Sequence, residues 1–285
     1  MTARSTPRQL RGGGFTSGYR PRRASGPVGP LRKDRGVITP LDALEQLEAW
    51  REGRAATRTT GFAELDDVTG GFEPGQVWIV AGTPGQGRST LASQWALLLA
   101  GDHGFDTHLV SKRDPTRKVA ARLVASTAKV PELHLWHGPM SAQDAGRLSH
   151  AKQTLAAARL QIIDPGGISI VDTDMDEVPR PEALVADDAD LAGGLFPSRV
   201  ASLADSGILL VLTLPRDHVV SAAGVDPAWA RVADVIIDID RPDLLDSASL
   251  RPGEADFHLV RSRWGPVRSI GVVYQGHYAR FVASK

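Results

Sequence analysis

The sequence predicts an α/β fold, in which a mostly parallel sheet has helices on both faces and a C-terminal antiparallel extension. From Thr60 onward, short apolar runs alternate with helical patterns, as expected for a parallel sheet covered on both sides. The glycine-rich loop Gly82-Thr-Pro-Gly-Gln-Gly-Arg-Ser-Thr90 lies between the first apolar run and the first helix. A loop in this position is typical of phosphate-binding domains.

The strands and helices are predicted in a regular order. The predicted strands are 76–81, 107–111, 160–164, 183–187, 207–214 and 232–239, and the predicted helices are 88–100, 115–128 and 141–157. The last two runs, Asp256–Arg263 and Arg268–Phe281, are joined by the short turn Trp264-Gly265-Pro266. So short a connection predicts an antiparallel pair.

The glycine-rich loop matches G-x-x-x-x-G-K-[ST] at Gly82, Gly87 and Ser89, but Arg88 stands where lysine is expected. Its backbone N–H groups and the following helix N-terminus would bind an anion, and the Ser89 hydroxyl would bind Mg²⁺. Arginine keeps the charge but is wider and planar. We therefore predict binding of ATP with Mg²⁺, without assuming normal hydrolysis; the alternative is a plain turn in the core. The predicted nucleotide-binding residues are Gly82, Thr83, Pro84, Gly85, Gln86, Gly87, Arg88, Ser89 and Thr90.

Composition limits the classes of protein that fit. The 285 residues are 42% hydrophobic and 23% charged, as in a globular domain, and no apolar run approaches the ~20 residues of a membrane helix. Cysteine is absent, which excludes disulfides and zinc–thiolate sites and fits a reducing compartment. We therefore expect a cytoplasmic protein without a membrane partner.

Charge is distributed unevenly along the chain. Residues 1–35 contain nine Lys or Arg and one acid, Asp34, a net charge of +8. Because the whole chain has a formal charge of zero, the remainder carries −8. We interpret residues 1–36 as a disordered basic arm, which either contacts nucleic acid or an acidic partner or is a solvated tail.

A short amphipathic helix is predicted between the arm and the main domain. Thr39 can cap it and Pro40 suits its first turn. An apolar stripe then follows at three-residue spacing, formed by Leu41, Leu44, Leu47 and Trp50. So short a helix is marginal alone and is expected to dock on another surface. The resulting division is an arm at 1–36, a helix at 37–54 and an α/β domain at 55–285.

Seven segments, taken in order, resemble the C-terminal motor domain of DnaB-type replicative helicases. They are Thr60–Asp67, Gly70–Gly75, Gly82–Thr90, Arg122–Ser126, Asp164–Ile170, Ala233–Ile237 and Tyr274–Phe281. The resemblance implies a RecA-like P-loop NTPase core that assembles as a ring, usually a hexamer, with ATP between neighbours and single-stranded DNA as the track. It covers about residues 40–283, including a helix similar to the family's linker helix. The sequence is thus expected to be a divergent member without the family's N-terminal domain.

The same resemblance implies roles for individual residues. Arg261 and Arg263 match the basic pair that reaches a neighbour's γ-phosphate, and Asp187 matches the acid that holds Mg²⁺ through water. Asp188 and Asp190 are close enough to Asp187 to confuse that assignment. A solvated strand face and a solvated acidic turn are the alternatives.

Several positions depart from the family pattern. Arg113 stands where a glutamate activates the attacking water, and arginine cannot accept a proton at neutral pH. Leu214 occupies the place of a glutamine γ-phosphate sensor. The DNA-contacting segments at about 192–206 and 215–231 are short, and Asp172–Asp190 holds eight acids that would repel phosphate. These losses affect chemistry and DNA contact, whereas the fold-forming pattern is intact.

Three functions remain open. The first is a DNA helicase or translocase of replication or repair, with Arg88, Asp187, Arg261 and Arg263 in the catalytic site and weak or lost hydrolysis. The second is a nucleotide-binding or structural pseudo-ATPase that acts through oligomer or partner contacts. The third is a RecA-like recombination ATPase. We expect a homo-oligomeric ring in which single-stranded DNA binds mainly through residues 1–35, and Asp114 is a candidate replacement base.

Overall fold

The computed structural model describes residues 58–164, 180–189, 196–245 and 248–284, and five helical positions, Pro40, Leu41, Leu44, Glu45 and Glu48. The basic arm predicted at 1–36 lies outside the described residues, as does most of the linker helix at 37–54. The five described helical positions are exposed. The domain boundaries therefore stay predictions.

The described chain forms one nine-stranded sheet, one two-stranded ribbon and the helices around them. The strands are β1 (Val77–Gly82), β2 (Thr107–Ser111), β3 (Leu160–Ile163), β4 (Ala183–Asp187), β5 (Leu209–Pro215), β6 (Val220–Ser221), β7 (Gly224–Val225), β8 (Val235–Asp240), β9 (Glu254–Ser262), β10 (Arg268–Gln275) and β11 (Arg280–Ala283). The α-helices are α1 (Ala63–Thr69), α2 (Arg88–Gly101), α3 (Thr116–Ala128), α4 (Glu132–Trp136), α5 (Ala142–Ala157), α6 (Pro197–Asp205), α7 (Pro227–Val232) and α8 (Pro242–Leu245).

The large sheet has the order β11-β10-β9-β8-β1-β5-β4-β2-β3. The six strands from β8 to β3 pair in parallel, and β9, β10 and β11 add antiparallel pairs at one side. This arrangement confirms the predicted fold class. The single strand predicted at Arg268–Phe281 is wrong, because a 3-10 turn at Gly276–Tyr278 and a left-handed Ala279 (φ +47°) divide it.

Each strand of the parallel sheet contributes alternate side chains to two apolar cores. In β1, Trp78 and Val80 pack with α2, whereas Ile79 lies in the core on the opposite face. Because both faces are covered, these strands are continuous apolar runs in the sequence. The same alternation decides which residues at the strand ends face the glycine-rich loop.

Helix α2 is anchored from both ends of the domain. The buried Trp95 indole donates to the carbonyl of Thr60 at 2.9 Å. Gln94 binds both backbone groups of Phe281: its Nε2 donates to the carbonyl (3.1 Å), and its Oε1 accepts from the N–H (2.9 Å). The segment that begins at Thr60 and the last strand thus both hold the helix that follows the loop.

None of the helices in the described parts of the chain is both long enough and apolar enough to cross a lipid bilayer.

Candidate nucleotide-binding site

The glycine-rich loop Gly82–Thr90 joins the carboxyl end of β1 to the N-terminus of α2. Gly85 and Gly87 have φ angles of +87° and +102°, which residues with a Cβ rarely adopt. A Cβ on Gly87 would also lie 2.6 Å from Cζ of Phe281. Gly87 is the N-cap of α2 and supplies no side-chain cap. An anion can therefore bind the first N–H groups of this 14-residue helix.

Two long-range contacts hold the loop in shape. Gln86 is fully buried; its Oε1 accepts from the N–H of Thr83 (2.9 Å), and its Nε2 donates to Asp240 (3.1 Å). The Arg241 guanidinium donates to the carbonyl of Gly85 (3.1 Å). Asp240 and Arg241 were not predicted from the sequence, because they lie 154 and 156 residues from their partners and no local pattern marks them.

A cavity of about 360 Å³ opens beside the start of the loop, between Gly82–Pro84 and Pro215–Asp217. Its wall includes Arg216, whose Nε donates to Asp238 at 2.8 Å. Burial raises the pKa of Asp238, although the Arg216 guanidinium opposes the effect. The cavity volume falls within the range of small-molecule sites.

Arg88 begins α2 and is 6% exposed. We expected its guanidinium to point at bound phosphates, but its Nη2 lies 3.3 Å from Oδ1 of Asp188, just after β4. Its Nη1 is buried and finds no hydrogen-bond partner in the parts of the chain that the structure describes. An unsatisfied buried donor is costly, and an anion on the loop would satisfy it.

Asp188 also binds the second unexpected arginine. Its Oδ2 lies 3.1 Å from Nε of Arg113, whose side chain is 49% exposed, against 4% for Asp188. Asp188 has φ +54°, and its N–H donates to the Thr213 hydroxyl at 2.7 Å. One buried carboxylate thus holds the arginines at both the lysine and the glutamate positions. From the sequence, Asp188 was predicted only as an alternative to Asp187 at the metal position.

Asp187 and Ser89 lie on the same side of the sheet. Asp187 ends β4, is buried, and accepts a hydrogen bond from the Thr213 hydroxyl at 2.9 Å. Its neighbours at alternate positions of β4 pack with α2, so Asp187 faces the helix that carries Ser89. One hydroxyl and one carboxylate fit Mg²⁺, which keeps water and phosphate oxygens as further ligands. Across the described ranges, no three His, Cys, Asp or Glu cluster into a metal-binding group.

The structure shows which side chains at the end of β5 face α2. Leu214, which we placed at the sensor position, is buried in the core on the face opposite α2. Thr213 faces α2, and its hydroxyl lies between Asp187 and Asp188. Within β5, Thr213 is therefore the polar side chain on the face that carries α2. Because side chains alternate between the two faces of β5, the sequence pattern could have distinguished Thr213 from Leu214.

Asp114, the candidate replacement base, is held in ion pairs. It lies 2.8 Å from Nζ of Lys118 and 2.5 Å from Nη2 of Arg122. Burial alone would raise the pKa of Asp114, but hydrogen bonds from the two cations outweigh it and lower the pKa. Because a carboxylate with a lowered pKa is a weak base, Asp114 does not suit proton abstraction.

Arg261 and Arg263 lie far from their own loop. The Nε of Arg261 donates to the carbonyl of Ala233 (2.8 Å), and Nη1 of Arg263 lies 2.9 Å from Asp234. Antiparallel pairing places Arg261 opposite Ile236, near the amino end of β8. The loop follows the carboxyl end of β1, roughly 10–17 Å further along the strands. Neither guanidinium contacts the loop of its own subunit in the described structure.

The short segments at about 192–206 and 215–231, which match the family's DNA-contacting loops, are only partly described. Residues 196–206 carry α6, and residues 215–231 carry a turn, the β6–β7 ribbon and α7. Residues 165–179 and 190–195, which include much of the acidic stretch and Asp190, lie outside the described residues.

Comparison with known proteins identifies relatives of this domain. The family model described as DnaB-like helicase C terminal domain matches residues 58–178. The chain is 27% identical over 270 residues to the replicative DNA helicase DnaB of Leifsonia xyli subsp. xyli, a match covering 84% of this chain and 59% of that protein. It is 26% identical over 136 residues to the replicative DNA helicase DnaB of Geobacillus stearothermophilus, covering 48% and 30% of the two chains.

Two solved structures share the fold. One, described as the ATPase domain of G40P, superposes with a TM-score of 0.73 at 19% identity and covers 88% of this chain and 100% of its own. The other, a DnaB-like replicative helicase whose interactions with primase were studied, has a TM-score of 0.71 at 20% identity, covering 88% and 68%. These likenesses confirm the RecA-like architecture.

Proposed function

We propose a function for this chain from the family to which it belongs, that of the DnaB-like helicase C-terminal domains. The domain binds ATP or ADP with Mg²⁺ at Gly82–Thr90 and hydrolyses ATP weakly or not at all. Ser89 and Asp187 hold the metal, and Arg88 contacts phosphate. Its context is DNA replication or repair in the cytoplasm.

The main support for nucleotide binding is the buried and partly unpaired guanidinium of Arg88. A guanidinium that is 6% exposed is buried at the head of α2, and its Nη1 has no acceptor among the described residues. The loop beside it has the glycines and the uncapped helix N-terminus that phosphate requires. A phosphate group would complete the hydrogen bonding of the helix and of Arg88 together.

Weak hydrolysis is supported by the side chains that surround this point. Arg113 cannot act as a base, and Asp114 is neutralised by two cations. Near the end of β5, the group that faces the site is the short hydroxyl of Thr213, already engaged by both aspartates. One positioned base contributes about 10²–10⁴ in rate. When bound, Mg²⁺ would neutralise phosphate charge, but neither Arg113 nor Asp114 is suited to activate water.

Calorimetry and a turnover assay test this proposal. We expect ADP with Mg²⁺ to bind, and ATP turnover to stay well below the ~1–100 s⁻¹ common for phosphoryl-transfer enzymes such as kinases. Gly87→Asp, which puts a carboxylate at the helix N-terminus, should abolish binding, whereas Gly146→Ala in α5 should not. Absence of binding of either nucleotide at millimolar concentration would refute the nucleotide site. Turnover above ~1 s⁻¹, stimulated by DNA, would instead support the motor.

The positions of Arg261 and Arg263 support assembly into a ring, six-membered as in the family. Since neither reaches its own loop, each would meet phosphate only on a neighbouring subunit. We expect nucleotide to increase the oligomer mass in sedimentation, and the double variant R261A/R263A to lose that increase. Arg268→Ala, at an exposed arginine paired with Glu64, is the matched control. If the wild-type chain and both variants assemble equally, Arg261 and Arg263 do not contact the nucleotide of a neighbouring subunit.

The basic arm at 1–36 is proposed to supply most of the affinity for single-stranded DNA. Its charge of +8 stands against −8 on the rest of the chain. Deleting residues 1–36 should weaken oligonucleotide binding at least tenfold and flatten its salt dependence. Tight binding by the shortened chain would show that the acidic domain itself holds DNA.

The pseudo-ATPase alternative is favoured by the ion pairs that occupy the site, because Asp188 pairs with the cations at both position 88 and position 113. It predicts nucleotide-dependent assembly without turnover.

A further inference from the structure

The end of β4 carries an arrangement of charges that simple nucleotide binding does not require. Arg88 and Arg113 lie 3.3 and 3.1 Å from the two oxygens of Asp188. Together with Asp187, these side chains sum to a charge of zero. In a phosphate-binding loop, the cation at position 88 normally reaches the β- and γ-phosphates. Here the cation is already paired within the protein.

Asp188 is fixed in place by its backbone. Its N–H donates to the Thr213 hydroxyl at 2.7 Å, and the next N–H, of Ala189, donates to the Thr213 carbonyl at 3.0 Å. Its side chain is 4% exposed. Turning the carboxylate toward solvent would break its ion pairs with Arg88 and Arg113, so a ligand must either tolerate the carboxylate or displace it at a cost.

The two ends of a bound polyphosphate meet different surroundings. The phosphates nearest the nucleoside would bind the backbone N–H groups of Gly82–Thr90. Arg88 still offers Nη1, while its Nη2 is held by Asp188. A diphosphate can therefore bind without disturbing the ion pair. A third phosphate would bring further negative charge toward a buried carboxylate.

We infer that Asp188 determines the nucleotide specificity of this site: its carboxylate lies at the terminal-phosphate end and makes the chain select nucleoside diphosphates over triphosphates. The inference rests on the proposed binding at Gly82–Thr90. Arg113 serves it by an ion pair with the second oxygen of Asp188, which holds the carboxylate in place.

Calorimetric titration with Mg²⁺–ADP and with a non-hydrolysable ATP analogue tests the inference. The wild-type chain should bind ADP at least tenfold more tightly, a difference of about 1.4 kcal/mol. In Asp188→Asn the preference should fall to about one or reverse. Asp102→Asn, which removes the same charge at the exposed far end of α2, should keep the wild-type preference.

Asp188→Asn leaves a buried guanidinium unpaired, so folding is checked by circular dichroism. The double variant R113Q/D188N removes one charge of each sign and should show the same loss of preference. Equal affinities of the wild-type chain for both nucleotides would overturn the inference, as would an unchanged preference in the variants. If none of the folded proteins binds ADP or the ATP analogue, the proposed function is overturned as well. The missing ADP signal distinguishes this outcome from a loss of preference alone.

Discussion

Arg113→Glu places a carboxylate where the family has its activating base, and we predict that this change alone destabilises the domain. Arg113 lies 3.1 Å from Asp188, so the substitution removes an attraction and adds a repulsion. At about 4 Å, two unit charges interact by ~1 kcal/mol in water and ~4 kcal/mol at an effective dielectric constant of 20. Because Arg113 is 49% exposed, the lower value applies to each term. The expected cost is ~2 kcal/mol.

Urea unfolding of a small series of variants measures this cost. Arg113→Gln removes only the attraction and should cost ~1 kcal/mol, half the effect of Arg113→Glu. In an Asp188→Asn background both costs should fall below ~0.5 kcal/mol, because the partner charge is gone. Equal costs in the two backgrounds, or equal costs for Gln and Glu, would refute the reasoning. By the same logic, R88K/R113E should not recover turnover until Asp188 is also neutralised.

Three further changes, with one control substitution, test the packing and charge of the site. Gly87→Ala should destabilise the chain by about 3 kcal/mol, since it combines positive φ with a 2.6 Å contact to Phe281. Gly146→Ala lies in a helix with open space around it and should instead stabilise the chain by ~0.5–1 kcal/mol. The urea midpoints of the two variants measure both effects. Leu214→Gln should cost ~1–3 kcal/mol without raising turnover, because the amide would enter the core away from the site. The lowered pKa of Asp114 contributes stability above pH ~4 that is lost as pH falls through the folded value, so Asp114→Asn should lower the unfolding midpoint at pH 7 and converge with wild type near pH 2.

The elements with local patterns were predictable from the sequence. The long apolar runs and the helices after positions 88, 115 and 141 lie within about three residues of their predicted bounds. The short helices α6 and α7 were not predicted, because fewer than three turns give little periodicity. The break in Arg268–Phe281 was missed because it depends on a left-handed Ala279, which no propensity favours.

The candidate site was predictable in its loop but not in its charges. The glycines and Ser89 follow from a contiguous motif. The position of Thr213 depends on strand parity, where a shift of one residue moves a side chain to the other face. The role of Asp188 depends on partners at 88 and 113, and only the folded sheet brings them together.

The hydrogen bonds between Gln94 and Phe281 affect the order in which parts of the chain can fold during synthesis. The two residues are 187 positions apart, so at ~5–20 residues per second the ribosome takes about 10–40 s to pass from one to the other. During that interval the loop and α2 exist without the strand that covers Gly87. The phosphate-binding loop can therefore be covered only after synthesis has passed residue 281, and a nascent chain stopped before residue 280 would have this loop uncovered.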